Sequence, residues 1–243
     1  MKKILLITLV VIIAVIGIAF LNIGKIVTTA VNTYGSEITG TQVSLKGFNL
    51  SLTKGEAEIN KLLVANPQGY NAPYIFELDN ISVTLDIKSL TTDTIVINEI
   101  NIKQPIISFE ALSLQQNNLK ALEENINKNL PQTQKTESIA TEETSSTSSK
   151  TVLIKKFVLS KATVKAYMPN MDPISLELPE ITLTDIDSGN PQKQIAQIFE
   201  SIITATTQAV TNFTKEQLEN LAQSSLNTIT DSIKNKINVK GLF

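Results

Sequence analysis

The spacing of hydrophobic residues changes repeatedly along the chain, and each change marks an element. Ile4 to Leu21 form an uncharged run in which Thr8 is the only polar side chain, preceded by Lys2 and Lys3. As a helix, that run would be roughly 27 Å long, against about 30 Å for a bilayer core. Residues 1–21 are therefore expected to be a transmembrane anchor. The basic flank would stay in the cytoplasm and everything after Leu21 would be exported. The rival reading is a cleaved signal peptide, with a core of about 7–15 residues and a small-x-small site. Gly17 and Ala19 offer such a site, but the apolar run here is longer.

Residues 22–35 keep a helical period, with Ile23, Ile26, Val27, Ala30 and Val31 on one face and Gly35 as the expected stop. From Ser36 the period falls to two, and residues 36–110 form a first β segment. Val43 and Leu45 alternate with polar residues, then Phe48, Leu50 and Leu52 continue on the other parity. This predicts a bulge or bend at Gly47. Glu56 to Ala65 is a strand ended by Asn66-Pro67-Gln68-Gly69. Tyr74 to Ile87 is the next, and Ile81, Val83, Leu85 and Ile87 are its cleanest alternation. Thr94 to Glu110 slips parity between Ile97 and Ile100, and Pro105 predicts a bend or an edge there.

Residues 111–130 are expected to contain a helix, with Leu119, Leu122, Ile126 and Leu130 on a stripe ended by Pro131. Residues 131–150 have almost nothing to bury and read as a disordered linker. A second β segment, 151–186, contains an internal echo. Ile97, Ile100, Ile102, Pro105, Ile107 and Phe109 match Ile154, Phe157, Leu159, Ala162, Val164 and Ala166 at one constant offset. Residues 187–243 read as two amphipathic helices, divided by a capping box in which Thr214 is the N-cap and Gln217 is N3.

Composition then narrows the chemistry. The 243 residues carry a net charge of −2 and contain no Cys, His or Trp. That balance gives no reason to bind nucleic acid. Without His or Cys, a Ser-His-Asp or Cys-His machine is impossible, and so are thiolate and imidazole metal sites. The carboxylates offer little more. Glu56/Glu58 and Glu123/Glu124 read as solvated surface. Asp185 and Asp187 near Asn190 lack an EF-hand pattern and read as capping and turn residues. Lys54-Gly55 lacks the spacing of a phosphate loop. No catalytic residue, metal site or cofactor is expected.

Several marks, taken in order, resemble the N-terminal module of AsmA-like proteins. An apolar anchor leads into a helix and a Gly-x-x-Val strand (Gly40, Val43). There follow a Gly-initiated strand (Gly55), an Asn-Pro-x-Gly-Tyr turn (Asn66, Pro67, Gly69, Tyr70), Val83 to Leu90, and an Ile-x-x-Pro-x-Ile strand (Ile102, Pro105, Ile107). The resemblance covers about a third of the chain strongly. It implies an inner-membrane protein facing the periplasm. It also implies a curved sheet akin to chorein-type grooves and a part in moving glycerophospholipid. It hands over no catalytic residues, and a chain this short cannot cross a periplasm alone.

The fold expected is thus α+β: a transmembrane helix, a curved and mainly antiparallel sheet with an apolar concave face, and C-terminal amphipathic helices packed on it. The candidate lipid- or helix-facing residues are Ile81, Val83, Leu85, Ile87, Ile95, Ile100, Leu159 and Val164. A bare apolar face of that size is rare on a soluble monomer. Helices covering most of it, with a residual lipid-sized cleft, are the favoured arrangement. The partners expected are membrane phospholipid and, in the alternative reading, another envelope protein bound through a sheet edge or the closing helices.

Overall fold

The computed structural model describes residues 23–113, 116–129, 151–169, 171–184, 186 and 191–240. The first element is a helix, α1, over 23–39. It runs through Gly35, where a stop was expected. Gly35 is a contact point instead: a Cβ there would lie 3.1 Å from the Val43 side chain, so glycine lets the helix approach the sheet. The turn at Gly40, with φ at 63°, ends α1.

A ten-stranded, curved and unclosed sheet follows. Its strands are β1 (Val43–Ser51), β2 (Glu56–Ala65), β3 (Tyr74–Leu85), β4 (Thr94–Lys103), β5 (Ile106–Glu110), β6 (Thr151–Ile154), β7 (Lys156–Ser160), β8 (Thr163–Tyr167), β9 (Ile174–Glu177) and β10 (Ile181–Thr184). Ile87–Thr91 is a 3₁₀ helix, and Asn118–Asn129 is helix α2. The strands are segments of six ribbons. β1, β2 and β3 are ribbons by themselves; β4–β5, β6–β8 and β9–β10 are the others.

Pairing is mixed rather than simply antiparallel. Neighbouring ribbons are antiparallel except between the fourth and the fifth, where β4 runs parallel to β6 and β7, and β5 parallel to β8. Two parallel ribbons need a crossover between them, and the segment that carries α2 makes it. The parallel register also explains the internal echo. Ile97 lies beside Ile154, Ile100 beside Phe157, Ile102 beside Leu159 and Ile107 beside Val164. Matching positions in the two ribbons do the same job because they are side by side.

The closing region is one helix, α3 (Pro191–Lys240). Thr214 is in its interior, where its hydroxyl donates to the Val210 carbonyl at 2.9 Å instead of capping a second helix. A hydroxyl one turn on from a carbonyl satisfies itself within a helix, so the capping-box pattern did not break the chain. α2 is also shorter than expected, and Ile87 lies in the 3₁₀ helix, not in β3. The Asp86 carboxylate accepts from the Lys88 N–H at 3.0 Å, which turns the chain before the alternation can continue. The linker 131–150, the anchor 1–21 and the Asp185/Asp187/Asn190 turn lie outside the described residues.

Candidate functional site

Three side-chain rows cross all six ribbons, and every member is apolar. The first is Val43, Val64, Phe76, Ile107, Val164 and Leu176. The second is Phe48, Ile59, Ile81, Ile102, Leu159 and Ile181. The third is Leu50, Ala57, Val83, Ile100, Phe157 and Leu183. The row between the last two is mainly polar: Asn49, Glu58, Ser82, Asn101, Val158 and Thr182. Alternation along each strand thus gives one apolar and one wetter face.

The first row has the opposite strand parity from the other two. A transverse crease reconciles them. Lys61, Gln104 and Lys161 adopt left-handed backbone, with φ of 56°, 53° and 53°. Each turns its ribbon over by one residue, so both halves present their apolar side chains to the same face. No residue is inserted: Asn60 faces Asn80 and Leu62 faces Leu78 on either side of Lys61. Gly47, which was expected to mark a bulge or a bend, stays in register opposite Asn60. The parity change there belongs to this crease.

α2 covers the half of the apolar face that carries the first row, whereas α3 starts over β6, beyond the third row, and crosses the face. Leu119 and Leu122 of α2 are buried there with Ile75, Ile107 and Val164. Phe199 of α3 meets Phe76 edge to face, with ring centroids 5.8 Å apart. Gln194 pins the start of α3. Its Oε1 accepts from the Ile154 N–H and its Nε2 donates to the Val152 carbonyl, both at 3.2 Å. Ile202 and Val210 are buried farther along the helix.

On the other side of the crease, cover is uneven. Ile81, Ile102, Phe157 and Leu159 are buried. Phe48, Leu50, Ile59, Val83, Leu85, Ile95, Ile97 and Ile100 remain half-buried. Of the eight candidates, Ile81, Val83, Ile100 and Leu159 therefore share the two rows on this side, and Val164 belongs to the row under the helices. Leu85 and Ile95 are half-buried near the end of the sheet, and Ile87 is 38 % exposed on its 3₁₀ helix.

The half-buried zone adjoins the start of α1. That helix runs along the free edge of β1. Ser36 Oγ accepts from the Val43 N–H at 2.8 Å, and Asn32 Oδ1 from the Leu45 N–H at 2.6 Å. A Cβ at Gly24 would lie 3.1 Å from the Phe48 carbonyl oxygen. Side chains of α1 thus satisfy edge donors that would otherwise recruit a strand.

A buried polar network escaped the sequence reading. The Glu110 carboxylate, 5 % exposed, accepts from the N–H groups of Asn71 and Ala72 at 2.9 Å, and from the Asn71 and Asn66 side-chain amides. Asn118 accepts from the Glu110 N–H at 2.8 Å and donates to the Ser108 carbonyl and to Asn66 Oδ1. Its signal in the sequence was a carboxylate ending an apolar strand, opposite an Asn-bounded turn. The carboxylate's lone pairs are taken up by turn donors, which makes it a brace and not a general base. Burial raises the ionisation of the nearby Tyr70 phenol above its usual range, and the charges of Glu110 and Glu124 add to that. Elsewhere, a hydrogen bond from Lys156 holds the Glu99 carboxyl below its usual value, across a 3.0 Å ion pair. Glu56 and Glu58 are exposed on β2, and Glu123 and Glu124 lie on α2.

Among the described residues, no three His, Cys, Asp or Glu side chains converge on a possible metal position. No helix among them is long and apolar enough to cross a membrane. No family model, curated protein or solved structure matches this chain.

Proposed function

We propose that this chain is an AsmA-like protein of the bacterial inner membrane, anchored through residues 1–21 with its bulk in the periplasm. There it handles or senses phospholipid in envelope maintenance, without catalysis. One observation carries the reading: the half-buried apolar zone adjoins Gly24 and Phe48, beside the start of α1. Residue 23 lies two positions after the apolar run ends at Leu21, so a run held in the bilayer would set that zone next to lipid. The zone is the concave, residual cleft of this reading. An acyl chain entering it would be stabilised by roughly 0.8 kcal/mol for each methylene removed from water. The short chain and the helices over the rest of the face suit holding or sensing a lipid better than conducting many.

The test uses the full chain, purified from membranes in mild detergent and analysed by native mass spectrometry for retained phospholipid. Leu85→Asp is the control. Leu85 is half-buried, so this variant is expected to fold, with a melting temperature lower than the parent's. Stoichiometric lipid on the parent and its loss in Leu85→Asp is the expected result. A lipid-free parent, or lipid unaffected by the substitution, overturns the reading.

A second reading, an anchored scaffold, has its own support. Among the described residues no strand pairs with the outer side of β9 and β10, so that edge can accept a strand from another envelope protein. A stoichiometric protein partner on a lipid-free chain would favour it.

A further inference from the structure

We infer that the distal half of α3 pairs with the same segment of a second copy, antiparallel, making the protein a dimer. α3 leaves the core near Thr214, its last half-buried residue, and from Lys215 onward the described side chains are exposed. The helix nevertheless continues to Lys240, about 39 Å farther at 1.5 Å per residue. Leu218, Leu226 and Ile229 are 62 %, 58 % and 56 % exposed. Ser224, Ser225, Asn227, Thr228 and Thr230 are weak helix formers. Helices of such composition are held mainly by packing of an apolar face, and nothing in this chain packs on that face among the described residues.

The pattern selects the occupant. At helical spacing, positions 218, 222, 226, 229, 233 and 237 (Leu, Ala, Leu, Ile, Ile, Ile) fall on one face. Their spacing is the same read from either end. An antiparallel copy therefore sets Leu218 level with Ile237, Ala222 with Ile233, and Leu226 with Ile229. The charges follow the same symmetry. Glu216 and Glu219 lie near one end together with Lys215, which comes level with Lys240, and Lys234, Lys236 and Lys240 lie near the other. Antiparallel pairing brings Glu219 level with Lys236, whereas parallel pairing sets like charges together. Glu219 also lies 3.9 Å from Lys215 in its own helix, but so exposed a pair is weak competition. The opposite face carries Asn220, Ser224, Asn227 and Asp231. A helix lying on a bilayer would carry Lys and Arg there, so a second copy suits this segment better than a membrane surface.

The test uses the full chain in detergent micelles. Sedimentation equilibrium should give the dimer mass for the parent and the monomer mass for Leu226→Asp, with equal melting temperatures because Leu226 is outside the core. Glu219→Lys should weaken the dimer, and adding Lys236→Glu should restore it. The chain has no native cysteine, so two differently tagged copies, Leu218→Cys and Ile237→Cys, report orientation cleanly. Mixed disulfides between the two tags are expected. A monomeric parent, disulfides only between like copies, or a fluorophore at position 226 buried in nanodisc lipid on a monomeric chain would each overturn the proposal.

Discussion

Gln104 and Lys161 share a left-handed backbone, φ 53° at each, at equivalent points of two parallel ribbons. Side chains at such φ are strained by about 1–2 kcal/mol, yet the sheet repeats the conformation at Lys61. In these three ribbons the left-handed residue reverses the strand parity, so that the rows on both sides of the crease lie on the same face.

The crease predicts an order of stabilities at Lys161. Lys161→Gly should be close to neutral, because relief of the left-handed strain offsets the extra freedom of the unfolded chain. Lys161→Ile should cost about 1–2 kcal/mol, because a β-branched side chain resists positive φ. Chemical denaturation of the three proteins tests this. Equal losses in both variants would mean that the lysine side chain, not the backbone, matters there.

Much of the fold was legible in the sequence. The strand alternation, the parity slips and the echo between Ile97–Phe109 and Ile154–Ala166 all correspond to observed features. What the alternation could not give was the cause of each slip: the one between Ile97 and Ile100 is an inserted residue, Asn98, opposite the Thr84–Leu85 step, while the others fall at the left-handed crease, and both leave the same trace. α3 was misread for a similar reason: Thr214 and Gln217 make a cap only if the chain bends before them. The brace at Glu110 joins Asn66, Asn71 and Asn118 across three elements, and local spacing carries no record of such a meeting. Of the candidate residues on β3, Ile81 and Val83 lie in the apolar rows, Ile81 buried and Val83 half-buried. Ile87 failed because Asp86 turns the chain first.

Asn118 is expected to be among the least replaceable polar residues. Asn118→Leu leaves the Glu110 N–H, the Ser108 carbonyl and Asn66 Oδ1 without this partner. Each buried group left unpaired costs about 1–3 kcal/mol. A combined loss above about 2 kcal/mol in urea denaturation is expected, and a loss under 0.5 kcal/mol (roughly the scatter for surface substitutions) would contradict the network.

Thr206 offers the opposite experiment. Its side chain is buried, and its hydroxyl has no hydrogen-bond partner among the described residues. Thr206→Val keeps the shape and removes the orphaned group, so stability should rise by about 1 kcal/mol. Differential scanning calorimetry reads this as a higher melting temperature.

The Glu99–Lys156 pair ties β4 to β7 and gives a pH signature. Because the folded carboxyl titrates below its unfolded value, its contribution is present above the unfolded pKa and is lost as pH falls through the folded one. The pair is partly exposed, so the contribution should stay below about 1 kcal/mol. Lys156→Ala should flatten the acid limb of the stability profile and raise the Glu99 carboxyl titration seen by NMR. An unmoved titration would show that the ion pair is not formed in solution.

The clamp of α1 on β1 has a mechanical consequence. From Gly24 to Ser36 the helix is fixed along its strand, with no slack between its first described turn and the sheet. Torque applied at the start of that helix is delivered to Phe48 and the ribbons behind it, as a lever loads its fulcrum, instead of being lost in a swivel.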